Sequence, residues 1–255
     1  YQEWAGHLQI LAEQGAIPAE MAANPAPLRI AGLPGSIDND QYGTDMSIGA
    51  DTALQTIVEA LDRLSSTANS HQRTFVVEVM GRHCGYLALM GAVAAGADWV
   101  LIPEEEMDAR WHQRMVEALK RGRQAGRRHD IILLAEGARH SDGLPIRAET
   151  VQEVLRTRLG AEARVTVLGH LQRGGSPSAF DRVLASRLGA AAVEHLCGDD
   201  ATPVMVGLIN GHPKATPLAD VVANSQAANI EIERCNFARA LELRSSQGAP
   251  RERDR

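Results

Sequence analysis

The stretch "RTFVVEVMGRHCGYLALMGAVAAGADWVLIPE", residues 73–104, decides the fold. It opens on Phe75, Val76, Val77 and Val79, a run rich in β-branched residues closed by Gly81, and this reads as a strand. Residues 84–95 are apolar nearly all round and rich in small side chains, which is the signature of a buried helix. "ADWVLIPE", residues 97–104, is a second strand. A strand, a buried helix and a second strand in succession form a crossover unit, so the two strands run parallel in a sheet covered on both faces.

The same rhythm extends in both directions. "PLRIAGLPG", residues 27–35, predicts a short buried strand ending at a Pro-Gly turn. Residues 44–68 carry a helical stripe of Ile48, Ala53, Leu54, Ile57, Val58, Leu61 and Leu64. Downstream, an amphipathic charged helix is predicted over 107–128, a strand over 130–137 and a helix over 149–159. Residues 163–170 read as a strand, 181–196 as a helix and 203–211 as the last convincing strand. Strands alternating with helices define an α/β protein with right-handed crossovers. The first residues show helical periodicity at Trp4, Leu8 and Leu11 with no strand before them, so an amino-terminal part is expected to be missing. From residue 225 onward the rhythm is lost, and the final "SSQGAPRERDR" reads as disordered.

Composition narrows the function classes. The 255-residue chain has a net charge of −6, against the basic excess of a nucleic-acid binder. No apolar run approaches the ~20 residues of a membrane span and no signal segment opens the chain, so a soluble cytoplasmic protein is expected. Aromatics make up only 4% of residues, so the core must be built from Leu, Val, Ile and Ala. Cys84, Cys197 and Cys235 have neither paired nor CxxC spacing, which indicates neither a disulfide framework nor a zinc site.

In an open parallel sheet, ligands bind beyond the carboxyl ends of the strands. The polar residues at those ends form a set: Ser36, Asp38 and Asp40 in "GLPGSIDND"; Met80, Gly81 and Arg82; Glu136; then His170, Gln172 and Arg173 in a Gly-Gly loop. Such a set suits a sugar phosphate. Arg and His neutralise a phosphate, a Glu accepts hydrogen bonds from sugar hydroxyls, and an Asp takes a proton from an attacking hydroxyl. A further Arg offsets charge on a transferred phosphoryl group. Each residue also has a plain reading. Asp38 fits a turn or helix cap, Arg82 a surface ion pair, His170 a core histidine, and "QRGGSP" a turn before a helix.

The segments "GLPGSIDND", "GTDMSIGADTAL", "SHQRTFVVEVMGRHCGYLAL", "GADWVLIPE", "ARVTVLGHLQRGGSPSAFDR" and "LASRLGA", in this order, resemble the 6-phosphofructokinase family. The resemblance runs over residues 1–222 and implies two Rossmann-like lobes with mostly parallel sheets flanked by helices, the first lobe incomplete. It implies a nucleotide-side lobe from 1–49 plus 172–223, a sugar-phosphate-side lobe over 50–171, and a tail over 224–255, helical then disordered. The family transfers the γ-phosphoryl of ATP to the 1-hydroxyl of fructose 6-phosphate, with Mg²⁺. By that resemblance Asp38 is the general base and Arg82 stabilises the transition state. Ser36 contacts the transferred phosphoryl, and Asp40 assists through the metal or its waters. Ser36, Ile37 and Asp38, with Met80 and Gly81, line the substrate, and Glu136 binds sugar hydroxyls. His170, Leu171, Gln172 and Arg173 grip the sugar phosphate. Arg73 and Arg164 match residues that reach the phosphate from a neighbouring subunit, which implies a homo-oligomer, typically a tetramer.

Three further features bear on the resemblance. Gly35 stands where pyrophosphate-dependent relatives carry Lys, which favours ATP. The family's glycine-rich nucleotide loops are not found in the 255 residues, so the isolated chain is expected to have little kinase activity. Glu104 matches an effector-pocket carboxylate of bacterial members, but a basic residue of that pocket is replaced near Ser65, so bacterial-style regulation is not expected. Two alternatives stand beside the ATP-dependent kinase: a non-catalytic sugar-phosphate-binding regulatory subunit, and a pyrophosphate-dependent phosphofructokinase.

Overall fold

A computed structural model describes residues 4–23, 28–71, 73–105 and 107–225. Its larger sheet has four parallel strands: β2 (Thr74–Val79), β3 (Trp99–Leu101), β4 (Asp130–Ala135) and β5 (Ala163–Val167), ordered β3-β4-β2-β5. β2 lies between β4 and β5, with Thr74 opposite both Asp130 and Ala163. The period-two alternation of a strand divides its apolar run between two cores. Phe75, Val77 and Val79 join Ile131, Leu133 and Ala135 under α3 (Ala50–His71) and α4 (Tyr86–Ala95). Val76 joins Ile132 and Leu134 on the opposite face, under α5 (Trp111–Gln124) and α6 (Ala148–Val154). This double burial is why these strands read as continuous hydrophobic runs.

α4 is short of polar residues because it lies between the sheet and α3. At Gly91 an added Cβ would stand 2.9 Å from Ile57 Cγ2, so the small residue allows the two helices their close approach. α6 continues as a single π turn (Leu155–Leu159) ended by Gly160 in the left-handed conformation.

A second sheet has three strands in the order β1-β6-β7: β1 (Ala31–Gly32), β6 (Val204–Ile209) and β7 (His212–Pro217). β1 runs parallel to β6, and β7 returns antiparallel to it. α7 (Ala179–Cys197) packs Leu184, Leu188 and Ala192 on Val204, Val206 and Leu208. α1 (Trp4–Glu13) and α2 (Ala19–Ala23) precede β1, and α8 (Leu218–Ser225) follows β7.

Several boundaries differ from the sequence reading. β1 is two residues long, because Pro34 has no N–H to donate to a ladder. The helix expected from residue 44 starts at Ala50, and Ile48 instead pairs with Gly35 in an isolated bridge. α5 starts at Trp111 rather than at Met107, which is 2% exposed and bridges His140 from extended backbone. Asp108 Oδ1 accepts the Arg110 N–H at 2.9 Å and forms the turn between them. The expected strand over 163–170 ends at Val167 and gives way to a 3₁₀ turn (Gly169–Arg173). β7 and α8 were not predicted. The hairpin is set by Asn210 and Gly211, with φ of 52° and 78°, the paired positive values of a tight two-residue turn. The tail expected over 224–255 falls outside the described residues from 226 onward.

Candidate active site

The carboxyl end of β2 leads into a turn that the local geometry over-determines. Gly81 has φ of 140° and Arg82 has φ of 57°, a left-handed conformation unusual for a long side chain. Two contacts hold it there. Glu136, the residue after β4, has its N–H on Val79 O at 2.9 Å. Its Oε1 accepts the N–H of Gly81 at 3.2 Å and of Arg82 at 2.8 Å. Gly137 then presses on the same turn, since a Cβ built there would lie 2.0 Å from the Arg82 carbonyl oxygen. A bulky residue held in a sparsely populated region by its surroundings is a mark of functional sites.

The loop after β1 carries Asp38. Ser36 Oγ accepts the Asp38 N–H at 3.2 Å. Asn39 takes φ of 56°, and its Oδ1 accepts the Ser47 N–H at 2.7 Å, while Ser47 Oγ donates to Ser36 O at 2.6 Å. Ser47 is fully buried, so the loop carrying Asp38 is fastened from behind. Sequence reading did not single out Asn39 or Ser47. The tolerance of Asn for left-handed backbone was the available signal.

Asp38 is half-buried, and its Oδ1 is inaccessible with no hydrogen-bond partner among the described residues. Burial, more than any other cause, raises its carboxyl above the ordinary aspartate value. The charge of Asp40 and then of Glu136 adds to this, while Arg173 and Arg82 oppose it. Charges from both sheets therefore act on the Asp38 carboxyl: Asp40 from the β1 loop, and Arg82, Glu136 and Arg173 from beyond the ends of β2, β4 and β5.

Within the 3₁₀ turn, His170, Leu171 and Arg173 are exposed, and Leu171 is 73% accessible. Gln172 is 1% exposed. Its Oε1 accepts the Met80 N–H at 3.2 Å and its Nε2 donates to Gly169 O at 2.9 Å. Its amide therefore ties the turn to the end of β2. Met80 is 8% exposed, and Ile37 packs against the core under α3. Arg73 and Arg164 are exposed at the amino ends of β2 and β5. At ~3.3 Å per residue Arg73 stands roughly 20 Å from the carboxyl end of β2, and Arg164 roughly 10 Å from that of β5. The chain does not bring them to its own cluster.

Two neighbouring groups fill structural places. Cys84 is buried beside the cluster, and burial pushes its thiol up to about 12. Glu104 Oε1 accepts the N–H of Gly85, the residue before α4, at 2.7 Å, and burial raises its carboxyl. Ser65 Oγ lies 3.4 Å from His129 Nε2.

By architecture this is an α/β chain in which charged residues at the strand ends stand beside a strained turn. Comparison with known proteins narrows this. The sequence profile of the Phosphofructokinase family matches residues 5–196, and the chain belongs to that family. It is 47% identical over 245 residues to the human ATP-dependent 6-phosphofructokinase, platelet type, covering 95% of this chain and 31% of that protein. It is 48% identical over 244 residues to the mouse muscle-type enzyme, with the same 95% and 31% coverage. The fold superposes on the phosphofructokinase of Saccharomyces cerevisiae with a TM-score of 0.83 at 38% identity, over 97% of this chain and 33% of that one. The chain thus spans about a third of the length of these relatives.

Proposed function

We propose that the cluster is the fructose 6-phosphate half of a phosphofructokinase site, in which the γ-phosphoryl of ATP passes to the 1-hydroxyl of the sugar. The observation that carries this reading is that the charges of Asp40, Arg82, Glu136 and Arg173 all act on the half-buried Asp38 carboxyl. Asp38 takes the proton of the 1-hydroxyl as the O1–P bond forms and the bond from phosphorus to the bridging oxygen of ATP breaks. ADP leaves with that electron pair. Burial that raises the proton affinity of Asp38 makes it a better base than a solvated aspartate. In this reading Arg82 offsets the charge of the transferred group, and the Ser36 hydroxyl contacts the same phosphoryl. Glu136 has Oε1 committed to the Arg82 turn, which leaves Oε2 for a sugar hydroxyl. His170 and Arg173 take the 6-phosphate, and Gln172 holds their turn in place.

Mg²⁺ fits this reading. It is held by one or two carboxylates together with substrate phosphates. Asp40 lies close enough to Asp38 to act on its charge, and Asp38 Oδ1 is buried and unpartnered among the described residues. When bound, the ion supplies neutralisation of the phosphate charge. Gly35 and the ATP-dependent relatives at 47–48% identity support ATP over pyrophosphate as donor. Arg73 and Arg164, exposed and remote from the cluster, suit donation to the site of a second copy, which makes the working form a homo-oligomer. A glycolytic role in the cytoplasm follows from the reaction.

Calorimetric titration of the chain with fructose 6-phosphate, fructose and inorganic phosphate tests the proposal. Fructose 6-phosphate is expected to bind more tightly than either part, and Arg173→Ala to remove that preference. Binding no tighter than inorganic phosphate would refute it.

A further inference from the structure

Two helix N-termini meet beside the cluster and exchange caps. Ser178 is the N-cap of α7, and its Oγ accepts the Asp181 N–H at 3.2 Å. In a capping box the carboxylate three residues along returns to the N–H of its own cap. Here the Asp181 side chain, 2% exposed, crosses to α3. Its Oδ1 accepts the Gly49 N–H at 2.9 Å, and its Oδ2 accepts the Thr52 N–H at 2.8 Å and the Thr52 hydroxyl. Gly49 has φ of +107° and no side chain with which to cap α3 itself. In return, Thr52 Oγ1 accepts the Ser178 N–H at 3.0 Å, and Ser178 Oγ donates to Asp51 Oδ2 at 2.5 Å.

The two helices belong to different sheets. α3 packs against the four-stranded sheet and α7 against the three-stranded one. The loop that enters α3 carries Asp38, and the segment that enters α7 carries His170 and Arg173. One buried carboxylate therefore fixes the exits of both loops.

We infer that Asp181 is a positioning residue. With Thr52 it sets the separation between the Asp38 loop and the His170–Arg173 turn, so that a single phosphorylated sugar meets both. This rests on the reading of the site given above. Asp181 is buried against Gly49 and Thr52, so its effect runs through the two helix ends.

The test uses Asp181→Asn, Thr52→Val and Thr52→Ser in the full chain, with fructose 6-phosphate and inorganic phosphate as the two titrants. Phosphate needs only the turn, whereas the sugar phosphate must span both loops. Asp181→Asn and Thr52→Val are expected to weaken fructose 6-phosphate at least about tenfold, as a displacement near 1 Å does, with phosphate affinity unchanged. Thr52→Ser keeps the hydroxyl and is expected to retain wild-type binding. Folded variants with unchanged sugar-phosphate affinity overturn the inference, and so does an equal loss of both ligands. If Asp181→Asn does not fold, Thr52→Val, which removes one hydroxyl, decides. A wild-type chain with no preference for fructose 6-phosphate overturns the site reading and this inference together. A preference that the variants retain overturns this inference alone.

Discussion

Gly137→Ala is a sharp probe of the candidate site, because it adds one methyl group and changes no charge. Gly137 does not occupy the left-handed region, so alanine meets no backbone penalty there. What it meets is the Arg82 carbonyl oxygen at 2.0 Å and the Arg82 carbonyl carbon at 3.0 Å. Carbon–oxygen contacts under 3.0 Å are essentially unseen for real Cβ atoms, so the Arg82 turn must retreat by about 1 Å. The obstacle is main chain and cannot swing aside. Overpacking of this kind costs about 1–3 kcal/mol of stability. A shift near 1 Å of the residue that offsets phosphoryl charge costs about tenfold to a hundredfold in function. The assay is fructose 6-phosphate affinity of the chain, and turnover where the chain is carried in an active enzyme, beside a urea melt. Gly189→Ala is the control, since no atom lies within 4 Å of its added methyl group and helix propensity favours alanine there. A folded Gly137→Ala protein with wild-type affinity and turnover would refute the claim that Gly137 and Glu136 together hold Arg82 in place.

Three further outcomes are expected. Asp38→Asn should abolish phosphoryl transfer in an active enzyme that carries the chain, yet raise the melting temperature of the chain at neutral pH. The raised carboxyl favours folding below the unfolded aspartate value, and that contribution is lost as pH rises through the folded value, so the gain from Asn should vanish in acid. The acid limb of the rate profile should accordingly lie above the ordinary aspartate range. Arg164→Ala should weaken fructose 6-phosphate only at concentrations where the chain self-associates; an equal loss in the monomer, measured by ultracentrifugation and titration, contradicts a role across subunits. Iodoacetamide at neutral pH should label exposed Cys197 and spare Cys84, whose thiol burial pushes up to about 12, as mass spectrometry of the folded chain would read.

The alternation of strands and helices was legible because each strand of the larger sheet is buried on both faces and reads as an unbroken apolar run. For the same reason the division of β2 between two cores was not legible, since Val76 and Val77 look alike in sequence and face opposite ways. β7 escaped because "HPKATP" is polar and carries two prolines, although Asn210-Gly211 before it is a hairpin signal. Of the candidate site, Asp38, Arg82, Glu136, His170 and Arg173 stood out as polar residues at glycine-bounded strand ends. The residues that hold them did not. Asn39 reaches Ser47 across 8 positions and Asp181 reaches Thr52 across 129, and neither link leaves a periodic trace. Ser178 and Asp181 had the spacing of a capping box, but the crossing to another helix is a property of the fold.

The prolines of β7 decide which border of the smaller sheet is closed. Lys214 and Thr216 face β6 with their amides, as does the next residue, Leu218, whose N–H meets Pro203 O at 2.9 Å. Residues 213, 215 and 217 therefore aim their backbone outward, and two of the three are prolines with no hydrogen to offer. An incoming strand would find a single amide donor along that rim, together with a lysine charge that disfavours docking. The sheet is thus sealed against growth at β7, and any strand that joins it must do so on the flank of Ala31 and Gly32.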